Sequence, residues 1–69
     1  MKRIGFVGLG DMGIGLTKNL LEKGFEVTGF DLRKDRMDEM VRLGGKSAKN
    51  CREVGQNADV VFVMVLKFW

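Results

Sequence analysis

The sequence contains no histidine, no proline and a single cysteine, Cys51. One cysteine cannot form a disulfide within the chain, and without histidine no His/Cys metal site can be built. Cys51 is interpreted as a residue in the first turn of a helix, without chemistry. The absence of proline leaves the predicted helices and strands uninterrupted.

Long hydrophobic runs and one-sided charge are also absent. The longest apolar run, Val60 to Leu66, has 7 residues, whereas a membrane-spanning helix needs about 20. The 12 basic residues are scattered among 9 acidic ones, and the one basic cluster, at residues 33–36, is interrupted by Asp35. Neither a membrane nor a nucleic acid is therefore expected as a partner. No signal-type hydrophobic stretch opens the sequence, so a cytoplasmic location is expected.

What is present is a regular alternation of short apolar runs and helical patterns over 69 residues. The runs predict four strands: Ile4 to Leu9, Glu26 to Asp31, Lys46 to Ala48 and Val60 to Leu66. The three segments between them predict helices: from the first glycines to about Lys23, from Lys34 to Leu43, and a short one opened by a capping box of Asn50 and Glu53. Val54 and Ala58 are expected to face inward from the last helical segment.

The first predicted helix carries its small and apolar residues on two neighbouring stripes with a period of 3.6. These are Met12, Leu16, Leu20 and Lys23 on one stripe, and Gly13, Thr17, Leu20, Leu21 and Gly24 on the other. Such a pattern is typical of a helix packed on a sheet. Gly24 is expected to end this helix in the left-handed conformation, and Gly44-Gly45 to close the second helix.

The order of elements predicts an α/β fold. Strand and helix alternate three times before a fourth strand, and parallel strands require crossover helices of this kind. With the first strand in the centre, the sheet order is 3-2-1-4 (βαβαβαβ). This is a Rossmann-type half-domain, so residues 1–69 are expected to form part of an NAD(P)-binding domain.

The first strand-to-helix turn matches the dinucleotide pattern G-x-G-x-x-G, with the residues Gly8, Leu9, Gly10, Asp11, Met12 and Gly13. Gly8 permits the tight turn, Gly10 leaves space for a pyrophosphate, and Gly13 lets the helix approach the strand. Backbone amides from about Gly10 to Gly13 are expected to point at the anion. The alternative is that these glycines only form a tight turn. A mononucleotide P-loop is disfavoured, because no Lys-Ser/Thr pair follows.

Asp31 lies 18 residues after Gly13, at the end of the second strand. A carboxylate there accepts hydrogen bonds from the adenosine ribose and repels a 2′-phosphate, so NAD is favoured over NADP. The alternative role for Asp31 is to cap the next helix, and the two roles can coexist. Arg33 leaves NADP open, since it could reach a 2′-phosphate, stack on adenine or stay in solvent.

The end of the fourth strand, Met64 to Leu66, is expected beside the cofactor at the topological switch point. Met64 and Leu66 could contact adenine or its ribose, and the alternative is that they only pack in the core. The last strand would also present an open apolar edge, so self-association is expected.

The sequence resembles the β-hydroxyacid dehydrogenases, a family that includes 3-hydroxyisobutyrate dehydrogenase and 6-phosphogluconate dehydrogenase. The resemblance rests on IGFVGLGDMGIGLTKNLLEKGFEVTGFD, on the GG pair and on NADVVFVMV. It implies cofactor contacts from Gly8 to Gly13, at Asp31, Leu32 and Arg33, and at Met64, Val65 and Leu66. The 3-hydroxyisobutyrate branch looks closer, because the 6-phosphogluconate branch carries the NADP-type signature Asn-Arg-Thr at the position of Asp31 to Arg33.

The resemblance also implies what the whole enzyme would do: transfer hydride between a nicotinamide cofactor and a small β-hydroxyacid, as a homo-oligomer. The chain departs from the family after Leu66, where Lys67-Phe68-Trp69 replace a loop and a long continuation. Lys67 does not match the catalytic lysine, and the helical catalytic domain is expected to be absent from this truncated chain. Two alternatives stay open: a non-catalytic NAD-sensing regulatory module, and an inert fragment.

Overall fold

Strands and helices alternate through residues 2–63, the part of the chain that the computed structural model describes. The seven elements are β1 (Arg3–Val7), α1 (Gly10–Glu22), β2 (Glu26–Phe30), α2 (Lys34–Leu43), β3 (Lys46–Ser47), α3 (Cys51–Gln56) and β4 (Val60–Val63). All strand pairs are parallel, and the sheet order is β3-β2-β1-β4. The predicted α/β fold and strand order are confirmed.

The two faces of the sheet are covered by different helices. Phe6 of β1 lies beside Gly29 of β2 in the sheet, and Met40 of α2 packs over Gly29. On the opposite face, Val54 of α3 approaches Gly5 so closely that a Cβ there would lie 2.6 Å from Val54 Cγ1. Alternate residues of β1 thus meet α2 and α3, as expected for a strand buried on both sides.

The main core lies on the α1 and α2 face. Its buried apolar residues are Ile4, Phe6, Leu9, Val27 and Met40. Leu9 is only 1% exposed although it lies outside β1. Burial of its side chain fixes the turn that follows β1 to the core.

Helix α1 packs on the sheet through only one of its two predicted stripes. Gly13 and Thr17 are buried, whereas Met12 and Leu16 are 72% and 40% exposed. The predicted packing of α1 on the sheet is confirmed, and it involves the stripe of Gly13 and Thr17 rather than that of Met12 and Leu16. The small residues let the helix approach the strands closely, and this rotates the larger side chains outward. Thr17 Oγ1 is buried and has no hydrogen-bond partner in the described part of the chain.

The predicted helix ends are confirmed. Gly24 follows α1 with φ +91°, and Gly44 caps α2 with φ +110°, both in the left-handed region that glycine tolerates best. The Glu53 amide donates to Asn50 Oδ1 at 2.8 Å, and Glu53 Oε1 accepts from the Lys49 amide at 3.0 Å. The capping box of α3 therefore forms, with its return bond one residue earlier than the usual pattern.

Strand β4 borders only β1 among the described residues. Phe62 stacks on Phe6 with ring centroids 5.6 Å apart, yet Phe62 and Val63 remain 48% and 65% exposed. Self-association through this strand stays a prediction. Residues 64–66, for which cofactor contacts are predicted, lie outside the described residues.

Asp59 ties the start of β4 to the start of β1. Its carboxylate accepts hydrogen bonds from the Arg3 guanidinium at 3.0 Å and from the backbone amides of Arg3 and Lys2 at 3.2 and 3.4 Å. The side-chain bond from Arg3, followed by the two amide bonds, lowers the pKa of Asp59 from 3.8 to about 2.

This shift predicts an acid-dependent loss of stability. Because the folded pKa lies below the unfolded one, ionised Asp59 stabilises the fold above about pH 4, and the contribution disappears as the pH falls towards 2. Asp59→Asn should lower the melting midpoint at pH 6 and flatten its decline between pH 4 and pH 2. Asp38→Asn, which breaks an exposed pair with Lys34 within α2, is the matched control. Equal declines for wild type and Asp59→Asn, measured by circular dichroism, would contradict the assignment.

Candidate functional site at the first strand-to-helix turn

The turn between β1 and α1 is built around two glycines in the left-handed region. Gly8 has φ +85° and Gly10 has φ +51°. The Gly8 amide donates to Phe30 O at 2.7 Å, which fastens the beginning of the turn to β2. Leu9, the residue between them, caps α1 without a side-chain hydrogen bond. The side chain of the capping residue itself therefore does not satisfy the first amides of this helix.

The space in front of Gly10 is open. A Cβ built at Gly10 meets no atom within 4 Å. The first amides of a helix have no acceptor within the helix, and the helix dipole places partial positive charge at the same end. An anionic group can therefore approach the backbone here without meeting a side chain of the turn.

Asp31 closes this site from the end of β2. Its Oδ2 accepts from the Leu9 amide and its Oδ1 from the Arg33 amide, both at 2.8 Å. Burial alone would raise the pKa of Asp31, but bonds from the amides of Arg33, Leu9 and Gly10, together with the charge of Arg36, lower it below its usual value. The carboxylate is thus held ionised against the glycine turn.

These bonds refine two sequence-based expectations. The amides of Leu9 and Gly10 are directed at Asp31, so the amides left for an anion are those of Asp11 and Met12. The Gly13 amide lies four residues after the capping residue Leu9, within the hydrogen-bond ladder of α1, and is therefore not free for an anion. Asp31 is not the N-cap residue of α2, because that residue is Arg33, whose amide donates to Asp31 Oδ1. Instead, Asp31 orders the turn that precedes α2.

The two residues after Asp31 differ in their surroundings. Leu32 is 92% exposed, an unusual position for a large apolar side chain. The Arg33 guanidinium makes two bonds to Asp35, Nε to Oδ1 at 3.2 Å and Nη2 to Oδ2 at 2.8 Å. Arg33 thus lies in solvent, paired with Asp35, and its contact with a 2′-phosphate or with adenine stays a prediction.

An ion pair that the sequence did not suggest links α1 to α2. Arg36 Nη1 lies 2.7 Å from Asp11 Oδ1, although the two residues are 25 positions apart. The pKa of Arg36 is raised, first by this hydrogen bond and then by the charges of Asp11, Asp35 and Asp31 against an opposing effect of burial. No spacing rule connects residues on two different helices, so only the fold reveals the contact.

Other kinds of site find no support in residues 2–63. No group of three or more Cys, Asp or Glu side chains is arranged to hold a metal ion. None of the described helices is both long enough and apolar enough to cross a bilayer. The turn, with Asp31 beside it, is the candidate site that the fold assembles from residues the sequence predicted.

Residues 3–68 match a family model described as the NAD binding domain of 6-phosphogluconate dehydrogenase. Among curated proteins, NAD-dependent L-serine dehydrogenase of Pseudomonas aeruginosa is 42% identical over 65 residues. That match covers 94% of this chain and 22% of the relative. The chain therefore spans about a fifth of the length of the curated relatives it matches.

Solved structures of the same architecture superimpose on the chain. The 3-hydroxyisobutyrate dehydrogenase of Mycobacterium tuberculosis, solved with L-serine, has a TM-score of 0.88 at 34% identity and covers 94% of this chain and 22% of its own. An imine reductase variant from Myxococcus stipitatus in complex with NAD⁺ has a TM-score of 0.89 at 27% identity, with 96% and 23% covered. The chain thus shares its fold with an imine reductase that has been solved in complex with NAD⁺.

Proposed function

Since the chain belongs to the family of the NAD-binding domain of 6-phosphogluconate dehydrogenase, we propose that its first turn holds the pyrophosphate of NAD. The observation that carries this proposal is the open, left-handed position at Gly10. A side chain at that position would stand where a phosphate must approach the helix amides. The amides of Asp11 and Met12 would then donate to the phosphate oxygens.

Asp31 would accept hydrogen bonds from the hydroxyls of the adenosine ribose. Its carboxylate is ionised and lies at the end of β2 against the glycine turn. A 2′-phosphate would meet this negative charge, and Arg33 is engaged with Asp35 rather than available to it. These features favour NAD over NADP. The exposed side chain of Leu32 offers an apolar surface for the adenine ring, and residues 64–66 are proposed to complete the pocket.

In a whole protein this domain would serve a dehydrogenase acting on small β-hydroxyacids. Two of the relatives are named for L-serine and 3-hydroxyisobutyrate. Both compounds carry a hydroxyl on the carbon β to a carboxylate. The nicotinamide of the bound cofactor would accept the hydride in such a reaction. This chain would position the adenosine half, and we propose that it catalyses no turnover alone, since the sequence shows no candidate for the acid–base group that the alcohol requires.

Binding of NAD to the purified chain tests the proposal. NAD at one hundred times its dissociation constant should stabilise the fold by about 2.7 kcal/mol, seen as a raised melting midpoint. NADP should raise the midpoint less, and Asp31→Asn should narrow the difference between the two cofactors. If neither dinucleotide shifts the midpoint or gives heat in calorimetry, the proposal is overturned and the inert-fragment alternative is favoured. A stronger response to NADP than to NAD would overturn the cofactor preference alone.

A further inference from the structure

We propose that Arg36 neutralises Asp11 and thereby allows the start of α1 to accept the dinucleotide phosphates. Arg36 would be a positioning residue that acts through Asp11 rather than a ligand of the cofactor. The inference rests on the proposed function and adds to it a residue outside the glycine turn and the β2 end.

Asp11 lies at the start of the helix where the phosphates are proposed to bind. It is in the first turn of α1, one residue after Gly10. Its side chain is 94% exposed, whereas that of Arg36 is only 26% exposed. The Arg36 side chain is therefore partly packed against the protein, and the exposed carboxylate of Asp11 lies 2.7 Å from it.

A carboxylate in the first turn favours the helix, because it interacts with the positive end of the dipole. The same carboxylate opposes a second anion at that end. Since both the carboxylate and a pyrophosphate would draw on the same partial charge, Asp11 without a partner would repel the ligand. The Arg36 guanidinium supplies the compensating positive charge.

In the described part of the chain, the charged groups around Arg36 do not supply a second positive charge that could replace it. Asp31 and Asp35 also face Arg36 and add negative charge. Arg33 is bound to Asp35 through two hydrogen bonds. Loss of Arg36 would therefore leave the carboxylates of Asp11 and Asp31 beside the proposed phosphate position.

The test is a double-mutant cycle with NAD as the probe. Arg36→Met should raise the dissociation constant about five-fold at low ionic strength, since one unit charge then acts on two phosphate charges at short range in largely aqueous surroundings. Asp11→Asn combined with Arg36→Met should restore the dissociation constant to within about two-fold of the wild-type value. The effect of Arg36→Met should shrink in about 1 M salt, where the screening length is about 3 Å.

A matched control separates this effect from a change in net charge. Arg42 pairs with Glu39 on the same helix, and Arg42→Met should leave the dissociation constant unchanged. Circular dichroism should show that all variants are folded, since the carboxylate of the pair is almost fully exposed and such ion pairs add little to stability.

Each outcome has a distinct meaning. An unchanged dissociation constant for Arg36→Met overturns the inference. The inference is also overturned if Arg36→Met weakens NAD binding and the added Asp11→Asn substitution does not restore it, because Arg36 would then contact the phosphates itself. Failure of the wild-type chain to bind NAD overturns the proposed function before any variant is compared.

Discussion

Replacing Gly10 with valine should weaken NAD binding about a hundred-fold. Gly10 has φ +51°, and a branched side chain in that region is strained by about 1–2 kcal/mol. The valine methyl groups would also enter the open space in front of the helix amides, where the pyrophosphate is proposed to bind. In the unliganded variant the turn relaxes to relieve this strain, so that binding of the phosphates must restore the strained geometry. The restored strain and the loss of close phosphate contacts together correspond to roughly two orders of magnitude in affinity.

Gly15→Val provides the control for this experiment. Gly15 lies in the same helix, and a Cβ there also meets nothing within 4 Å, but it is not among the glycines with positive φ. Titration calorimetry should find the wild-type affinity for Gly15→Val and almost none for Gly10→Val. Gly10→Ala, a milder change, keeps the test valid if the valine variant unfolds. Unchanged affinity for NAD in both Gly10 variants would contradict the proposal that the pyrophosphate binds at this turn.

Replacing Met40 with alanine should have the largest effect on stability, about 2–5 kcal/mol in the free energy of unfolding. Met40 is fully buried, and the two glycines beside it leave space for its long side chain. A Cβ at Gly45 would lie 2.7 Å from Met40 Cγ, and one at Gly29 would overlap the terminal methyl group. Truncation of Met40 to alanine therefore leaves a cavity, because the two glycines beside it have no side chains to fill the space.

A compensating substitution makes this prediction specific. Gly29→Ala alone should destabilise the chain, because its methyl group overlaps Met40. Gly29→Ala in the Met40→Ala background should recover part of the lost stability, since the same methyl group then enters the cavity. Urea unfolding of the four proteins measures the coupling, with Val41→Ala, at a half-exposed position of the same helix, as the control. Additive effects of the two substitutions would show that the residues do not share this space.

The sequence predicts the fold well because its strongest signals are local. Apolar runs and glycine positions mark where strands, helices and turns begin and end, and parallel strands joined by helices permit few sheet orders. The order 3-2-1-4 follows from these constraints. The capping box at Asn50 and the left-handed glycines at 24 and 44 were predictable for the same reason. The family followed from the glycine turn and its surroundings.

The remaining features depend on contacts between elements that are distant in sequence. Two stripes on α1 carried apolar residues, and only close packing against the strands decided that Gly13 and Thr17, not Met12 and Leu16, are buried. The pairing of Asp11 with Arg36 requires two helices to be placed side by side. From the sequence, Asp31 is expected to bind the ribose or to cap the next helix. The structure shows in addition that Asp31 accepts a hydrogen bond from the Leu9 amide.

That bond has a consequence for redesigning coenzyme preference. Asp31 joins the end of β2 to the backbone of the residue before Gly10. An exchange of Asp31 for a residue without an acceptor, such as alanine, intended to admit a phosphorylated ribose, would also release the Leu9 amide and loosen the loop that both coenzymes need. Substitutions meant to change the coenzyme preference should therefore begin at the exposed neighbours Leu32 and Arg33. The Asp31 carboxylate should be kept, because it holds the Leu9 amide.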